Sequence, residues 1–249
     1  MNQFFSFERF KLLALKHWAD NRKRYTLSVL AYVGILFTWF IFSLTNRDKM
    51  SEEIQLGTYF FSLFVAGTLY ASQYFADLSS RPKGINFLLV PASRFEKFLS
   101  SLLYTVVFFF VFLTVAFYIV DALMVILFNA ISGASEAGEK ASVVNVLQLD
   151  YIKFGPNAAI NVLAVFLAIQ AIFLFGSAYF KKYNFLKTII SGFVAFLIGF
   201  FILYLTYPVL FPQDKVPAWM ALVISLLLMY FVAPLFWILT YRQLKRKQV

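Results

Sequence analysis

Long unbroken apolar runs, separated by short charged connections, make up most of the chain. Crossing a bilayer takes about 20 apolar residues per helix, with every backbone group bonded inside the helix. Six stretches meet that requirement: Tyr25–Leu44, Thr58–Asp77, Leu99–Phe128, Ala158–Phe180, Phe185–Tyr207 and Trp219–Tyr241. Runs such as FFFVFLTVAFYIV and ALVISLLLMYFV are continuous, without the apolar–polar alternation of barrel strands. The pattern predicts an all-α, polytopic integral membrane protein, a single transmembrane domain over residues 1–249.

Residues 1–24 carry a different pattern. Phe4, Phe7, Ala14, Leu15 and Trp18 fall on one side of a helix and Arg9, Lys16 and Asp20 on the other, with Lys11 placed to snorkel. This is the pattern of a helix lying in the membrane interface. Phe10 and Leu13 stand off the apolar face, which would also fit contact with protein. The charges among these apolar positions, and the lack of a small-residue cleavage site, argue against a removed signal peptide.

Residues 79–98, SSRPKGINFLLVPASRFEKF, interrupt the apolar pattern between the second and third spans. Arg81-Pro82-Lys83-Gly84 reads as a turn, leaving Ile85–Val90 as one or two apolar helical turns with basic flanks. Pro91 disfavours helix just before it, and Ser93 with Glu96 three residues later forms a capping-box signature, so the next helix is expected to start near Ser93. From Arg94 to Phe128 a continuous helix would rise roughly 50 Å, beyond about 30 Å of hydrocarbon, so its start should project from the membrane. Residues 129–157 form an outer loop, rich in Gly, Ser and acid before turning apolar, too short for a domain of its own. The segment YPVLFPQDKVPAW fits a re-entrant dip or an aromatic belt equally well.

Composition agrees with the pattern: 61% of the 249 residues are hydrophobic, only 14% are charged, and the mean hydropathy is +0.77. The net charge of +10 is chiefly a topology signal. With six spans, 17 of the 22 basic residues fall on the side that holds both termini, the 79–98 loop and Lys181, Lys182 and Lys187. The positive-inside rule makes that side cytoplasmic, in a membrane of the bacterial inner-membrane kind. Basic residues scattered over four juxtamembrane segments argue against nucleic acid as a partner.

Little in the sequence points to catalysis. His17 is the only histidine and there is no cysteine, which removes histidine clusters, thiolate sites and disulfides. No phosphate-binding GxxxxGK[ST] loop occurs. No enzyme, bound cofactor or metal is expected in this chain. Asp121 is the one acid inside an apolar run; acids at such depth are often functional, but the length of its helix is expected to set it near the solvated outer boundary. Ser191, Ala195 and Gly199 form a small-residue stripe on the fifth span, open to packing within the bundle or against a second copy. Ala164 and Ala168, beside Gln170, do the same on the fourth, as do Gly67 and Ala71 on the second.

The leading helix FERFKLLALKHWADNRKRY, the six spans and the segment LLVPASRFEKFLSSLL before the third span together resemble the permease subunits of type-two ATP-binding-cassette (ABC) exporters. In that family an LP-x-S-R-x-E-like segment precedes the third span; here Val90 stands before Pro91. The resemblance covers the whole chain as topology but specific residues only at Trp18–Arg24 and Leu88–Lys97. It implies export by alternating access, driven by ATP and Mg on a separate ATPase subunit, within a dimer with a second permease copy or a homologous permease. It further implies that residues 79–98 are the coupling loop. Ile85, Phe87, Leu88 and Leu89 would be its apolar contact and Arg81, Lys83, Arg94, Glu96 and Lys97 its ion-pair candidates, with Trp18, Arg22, Lys23 and Arg24 flanking the groove. Glu96 is equally explained by capping. A secondary transporter, or an accessory subunit of a membrane complex without transport, would share much of this pattern.

Overall fold

The computed structural model describes residues 4–45, 51–76, 84, 85, 87, 89–132, 141–147, 158–210 and 230–247. Among them every regular element is helical: α1 Phe7–Thr45, α2 Glu52–Tyr74, α3 Arg94–Leu102, α4 Phe109–Ser132, α5 Ala158–Tyr179, α6 Asn184–Leu210 and α7 Val232–Lys247. A π-helical segment, Leu103–Phe108, joins α3 to α4 without a break. Among the described residues five helices, counting α3 through α4 as one, are long and apolar enough to cross a membrane. Residues 219–229 of the sixth expected span, and the proline-rich 208–217 connection except its first three residues, lie outside the described residues; Pro208–Leu210 close α6.

The division between an interfacial helix at 1–24 and a span from Tyr25 does not hold as two elements. No Pro or Gly occurs from Phe7 to Val33, so nothing in the backbone ends a helix there, and α1 runs uninterrupted for 39 residues. The predicted start of the third helix does hold. Ser93 Oγ accepts from the Glu96 amide at 3.1 Å and Glu96 Oε2 accepts from the Ser93 amide at 2.7 Å, closing the capping box.

Helix α5 is the central post, packed chiefly against α2 and α7. Ala164, Ala168, Ala171 and Ala178 are buried along it, so backbones approach closely where lipid supplies no hydrophobic drive between helices. One core cluster joins Leu36 and Phe40 of α1, Tyr59 and Leu63 of α2, Phe117 and Met124 of α4, and Phe166 of α5. A second, at the end bearing the 79–98 loop, joins Phe75, Leu174, Ala178 and Leu244. Helix α6, by contrast, is exposed along most of its length: Ser191, Ala195 and Gly199 face outward, and nothing described lies within 4 Å of a side chain placed at Gly199.

Asp121 corrects the expectation of a solvated acid. Its side chain is 0% exposed; it interacts with the Val144 backbone amide, but among the described residues neither carboxylate oxygen has a well-formed hydrogen bond. The cause is residues 141–147, which fold over the ends of α2 and α4 remote from the 79–98 loop. Gln55 Nε2 donates to Ser142 O and Gln55 Oε1 accepts from the Val144 amide, both at 3.2 Å. The Asn129 amide makes two 2.9 Å bonds to Ala141, and Tyr118 Oη donates to Asn145 Oδ1 while accepting from the Val146 amide. Val144 and Val146 are pressed into the core beneath.

Two glycines are fixed by space. A side chain at Gly67 would overlap Gln170 Nε2, the movable end of a flexible chain; one at Gly176 would overlap the branched Thr188, whose Cγ2 lies 2.9 Å away. Gly34 has open space around it. Gly176→Ala should therefore destabilise the purified protein by roughly 1–3 kcal/mol, as overpacking does. Gly34→Ala should leave it unchanged or raise its stability by up to about 1 kcal/mol, the helix-propensity gain. Thermal midpoints of the two variants, measured side by side in one detergent, check the opposite signs.

Candidate docking surface at the basic end

Four basic segments converge at one end of the bundle. The N-terminal half of α1 packs on α3; α3 meets α7 through an edge contact of Phe98 with Tyr241, centroids 5.9 Å apart. The α7 C-terminus reaches the α5–α6 turn, where burial, and then the Lys181 ammonium, hold the Lys247 amine below its ordinary pKa.

The convergence is organised around Glu96. Besides the Ser93 amide, it accepts the Ser6 amide at 2.7 Å and the Arg9 guanidinium at 3.0 Å from Nη2 and 3.3 Å from Nε, all on Oε1. Ser93 Oγ donates to Phe4 O at 2.7 Å, and the Phe4 ring stacks on Phe95 at 4.9 Å. Further along, Tyr104 Oη donates to the Ala14 carbonyl at 2.7 Å. His17 lies 4.5 Å from the Tyr104 ring and 4.8 Å from Tyr74, with Nε2 2.6 Å from Tyr25 Oη. Trp18 packs on Tyr25 and Phe112, and the Arg24 guanidinium donates to Gln73 Oε1. The leading part of α1 is thereby fixed to α2 and α3, and is more than a lipid anchor.

Of the loop between α2 and Val90, Gly84, Ile85, Phe87 and Leu89 are helical positions, and the residues between them lie outside the described set. Phe87 is tucked inward, edge-on to Phe75 at 6.2 Å and with the Lys97 ammonium 5.5 Å from its ring centre. Ile85 and Leu89 point away, 55% and 74% exposed. Arg81, Lys83 and Leu88 lie outside the described residues.

The charged candidates divide. Arg22, Lys23 and Arg24 are on the surface and Arg94 is half-buried. Glu96, 0% exposed, and Lys97, 2% exposed, are interior and cannot meet a partner directly; the cap and the Arg9 pair consume Glu96, and packing under Phe87 encloses Lys97. Sequence reasoning missed Arg9, Ser6 and the His17–Tyr25–Tyr74–Tyr104 group. The one local signal was His17 and Tyr25, eight residues apart and so near one face of a helix. A cavity of about 300 Å³ opens between α1, the loop helix and α3.

No protein-family model, no curated protein and no solved structure matches this chain. The class that fold and surface define is an all-helical chain with several helices able to span a membrane, carrying an exposed apolar turn at its basic end.

Removing a carboxylate with four donors orphans a buried network. Glu96→Ala should cost roughly 2 kcal/mol or more, and in a double-mutant cycle with Arg9→Ala the pair should couple by about 1 kcal/mol. Additive losses in denaturation measurements would show that Arg9 and Glu96 act independently.

Proposed function

We propose that this chain is the transmembrane permease subunit of an ABC-type exporter, moving its substrate by alternating access driven by ATP hydrolysis on a separate ATPase subunit. The observation that supports the reading most is the short helix through Ile85 and Leu89: two large aliphatic side chains held out at the basic end, on a base anchored by Phe87. Exposed apolar surface backed by fixed structure marks an interaction site. The ATPase would bury Ile85 and Leu89, with Arg81, Lys83 and Arg94 as the ion pairs around them and Trp18 and Arg22–Arg24 at the rim. A push on this helix would pass through Phe87 to Phe75 and Lys97, hence to the ends of α2 and α3. The permease would act as a dimer, with a second copy or a homologous permease, in a bacterial inner membrane with both termini cytoplasmic.

Asp121 favours a second reading, an ion-coupled secondary transporter, because a buried membrane acid with no ion pair among the described residues, and only the Val144 backbone amide beside it, is a natural ion or proton site. Affinity purification of the tagged chain from its native membrane, followed by mass spectrometry, separates the two. A stoichiometric P-loop ATPase is expected; its absence sinks the exporter reading.

Charge reversal at Arg81, Lys83 and Arg94 together should release that ATPase while membrane insertion is retained. Undiminished co-purification would refute the docking role. Because the chain has no cysteine, single substitutions report sidedness cleanly. In intact cells an impermeant maleimide should label Val143→Cys and spare Lys182→Cys; the reverse pattern overturns the orientation.

A further inference from the structure

The cavity at the basic end is lined on one side by groups suited to an anion: Lys16, His17 and Asn21 from α1, Tyr74 from α2, Lys97 and Ser100 from α3. Leu13, Phe87 and Val90 supply an apolar wall, and Asp20 is the single acid. Lys97 is almost wholly enclosed, with its ammonium against the Phe87 ring, and borders this space from within the protein rather than from a solvated surface. At about 300 Å³ the space reaches the lower bound of small-ligand sites, roughly 300–1,000 Å³.

We propose that this cavity binds the phosphate headgroup of an anionic phospholipid. Lys16 at the exposed rim makes the direct charge contact, Lys97 adds its positive field from within the wall, the Tyr74 hydroxyl, which donates to Ser100 Oγ at 3.3 Å, supplies a polar floor, and the Leu13–Phe87–Val90 wall accepts the glycerol and the first acyl carbons. Lipid rather than a protein carboxylate is favoured by what adjoins the opening. Leu12 and Leu15, beside Leu13 and Lys16 on the same turns of α1, are exposed aliphatic side chains. A helix presenting bare leucines next to a lysine-lined cavity sits where acyl chains end and headgroups begin. A bound headgroup would touch α1, α2, α3 and the loop helix at once, so membrane composition would set the stiffness of the surface carrying Ile85 and Leu89. The site does not depend on the ATPase reading and is tested without any partner.

Native mass spectrometry of the full chain in detergent, offered phosphatidylglycerol, phosphatidylcholine or inorganic phosphate in turn, tests the site. Phosphatidylglycerol should stay bound where phosphatidylcholine is lost, and inorganic phosphate should bind far more weakly. Lys16→Gln, at an exposed position that leaves folding intact, should weaken phosphatidylglycerol about fivefold, the equivalent of ~1 kcal/mol per basic residue near an anionic surface. Lys97→Gln, which removes the enclosed charge, should weaken it as well. Asp20→Asn should tighten it, since it removes the one repulsive charge. Equal retention of the two lipids, inorganic phosphate binding as tightly as lipid, or affinity unmoved by both Lys16→Gln and Asp20→Asn would each overturn the proposal.

Discussion

The buried carboxylate of Glu96 is the interaction on which the basic end depends. One side chain ends a loop, starts a helix and fastens the N-terminal segment, because it accepts from Ser93, Ser6 and Arg9 together. An ionised group sealed from water is costly unless its lone pairs are filled, and here the donors come from segments nearly 90 residues apart. The requirement to satisfy one charge therefore fixes a tertiary arrangement. Aromatic stacking of Phe4 on Phe95, and the His17 contacts with Tyr74 and Tyr104, extend the same junction along α1.

Away from that end, the constraint is close approach. In lipid, helices associate through packing and interhelical polar contacts. The alanines of α5, with Gly67 receiving Gln170 and Gly176 receiving Thr188, let polar side chains sit in the tightest crossings. At the opposite end the 141–147 segment seals the bundle by lending its backbone to Gln55, Tyr118 and Asn129. The two ends are thus built differently: charge and aromatics organise one, side-chain amides and a backbone strap the other.

Much of this was legible in the sequence where the signal was local. The Ser93–Glu96 cap and the apolar helices follow from spacing and composition within a few residues. The rest depended on contacts between distant segments. Nothing near Glu96 announces Arg9 or Ser6, so its charge read equally well as partner-facing. Depth along one helix alone makes Asp121 look solvated, whereas its burial comes from a strap some 20 residues further on. The single helix α1 was divided because amphipathicity changed at Tyr25 while the backbone gave no reason to stop.

The π-helical stretch Leu103–Phe108 carries a consequence of its own. A π turn holds more residues than an α turn, so the two flanking α-helices are out of phase, by roughly 100° for each residue accommodated. Tyr104 and Thr105 are buried within the stretch, and α3 and α4 each turn a polar or apolar face inward on either side of it. The stretch works as a phase shifter: it lets one continuous rod show its charge-bearing face to the N-terminal segment and its greasy face to the bundle. Tightening its wide turns to α geometry would turn α4 relative to α3, whose start is held by the Glu96 contacts.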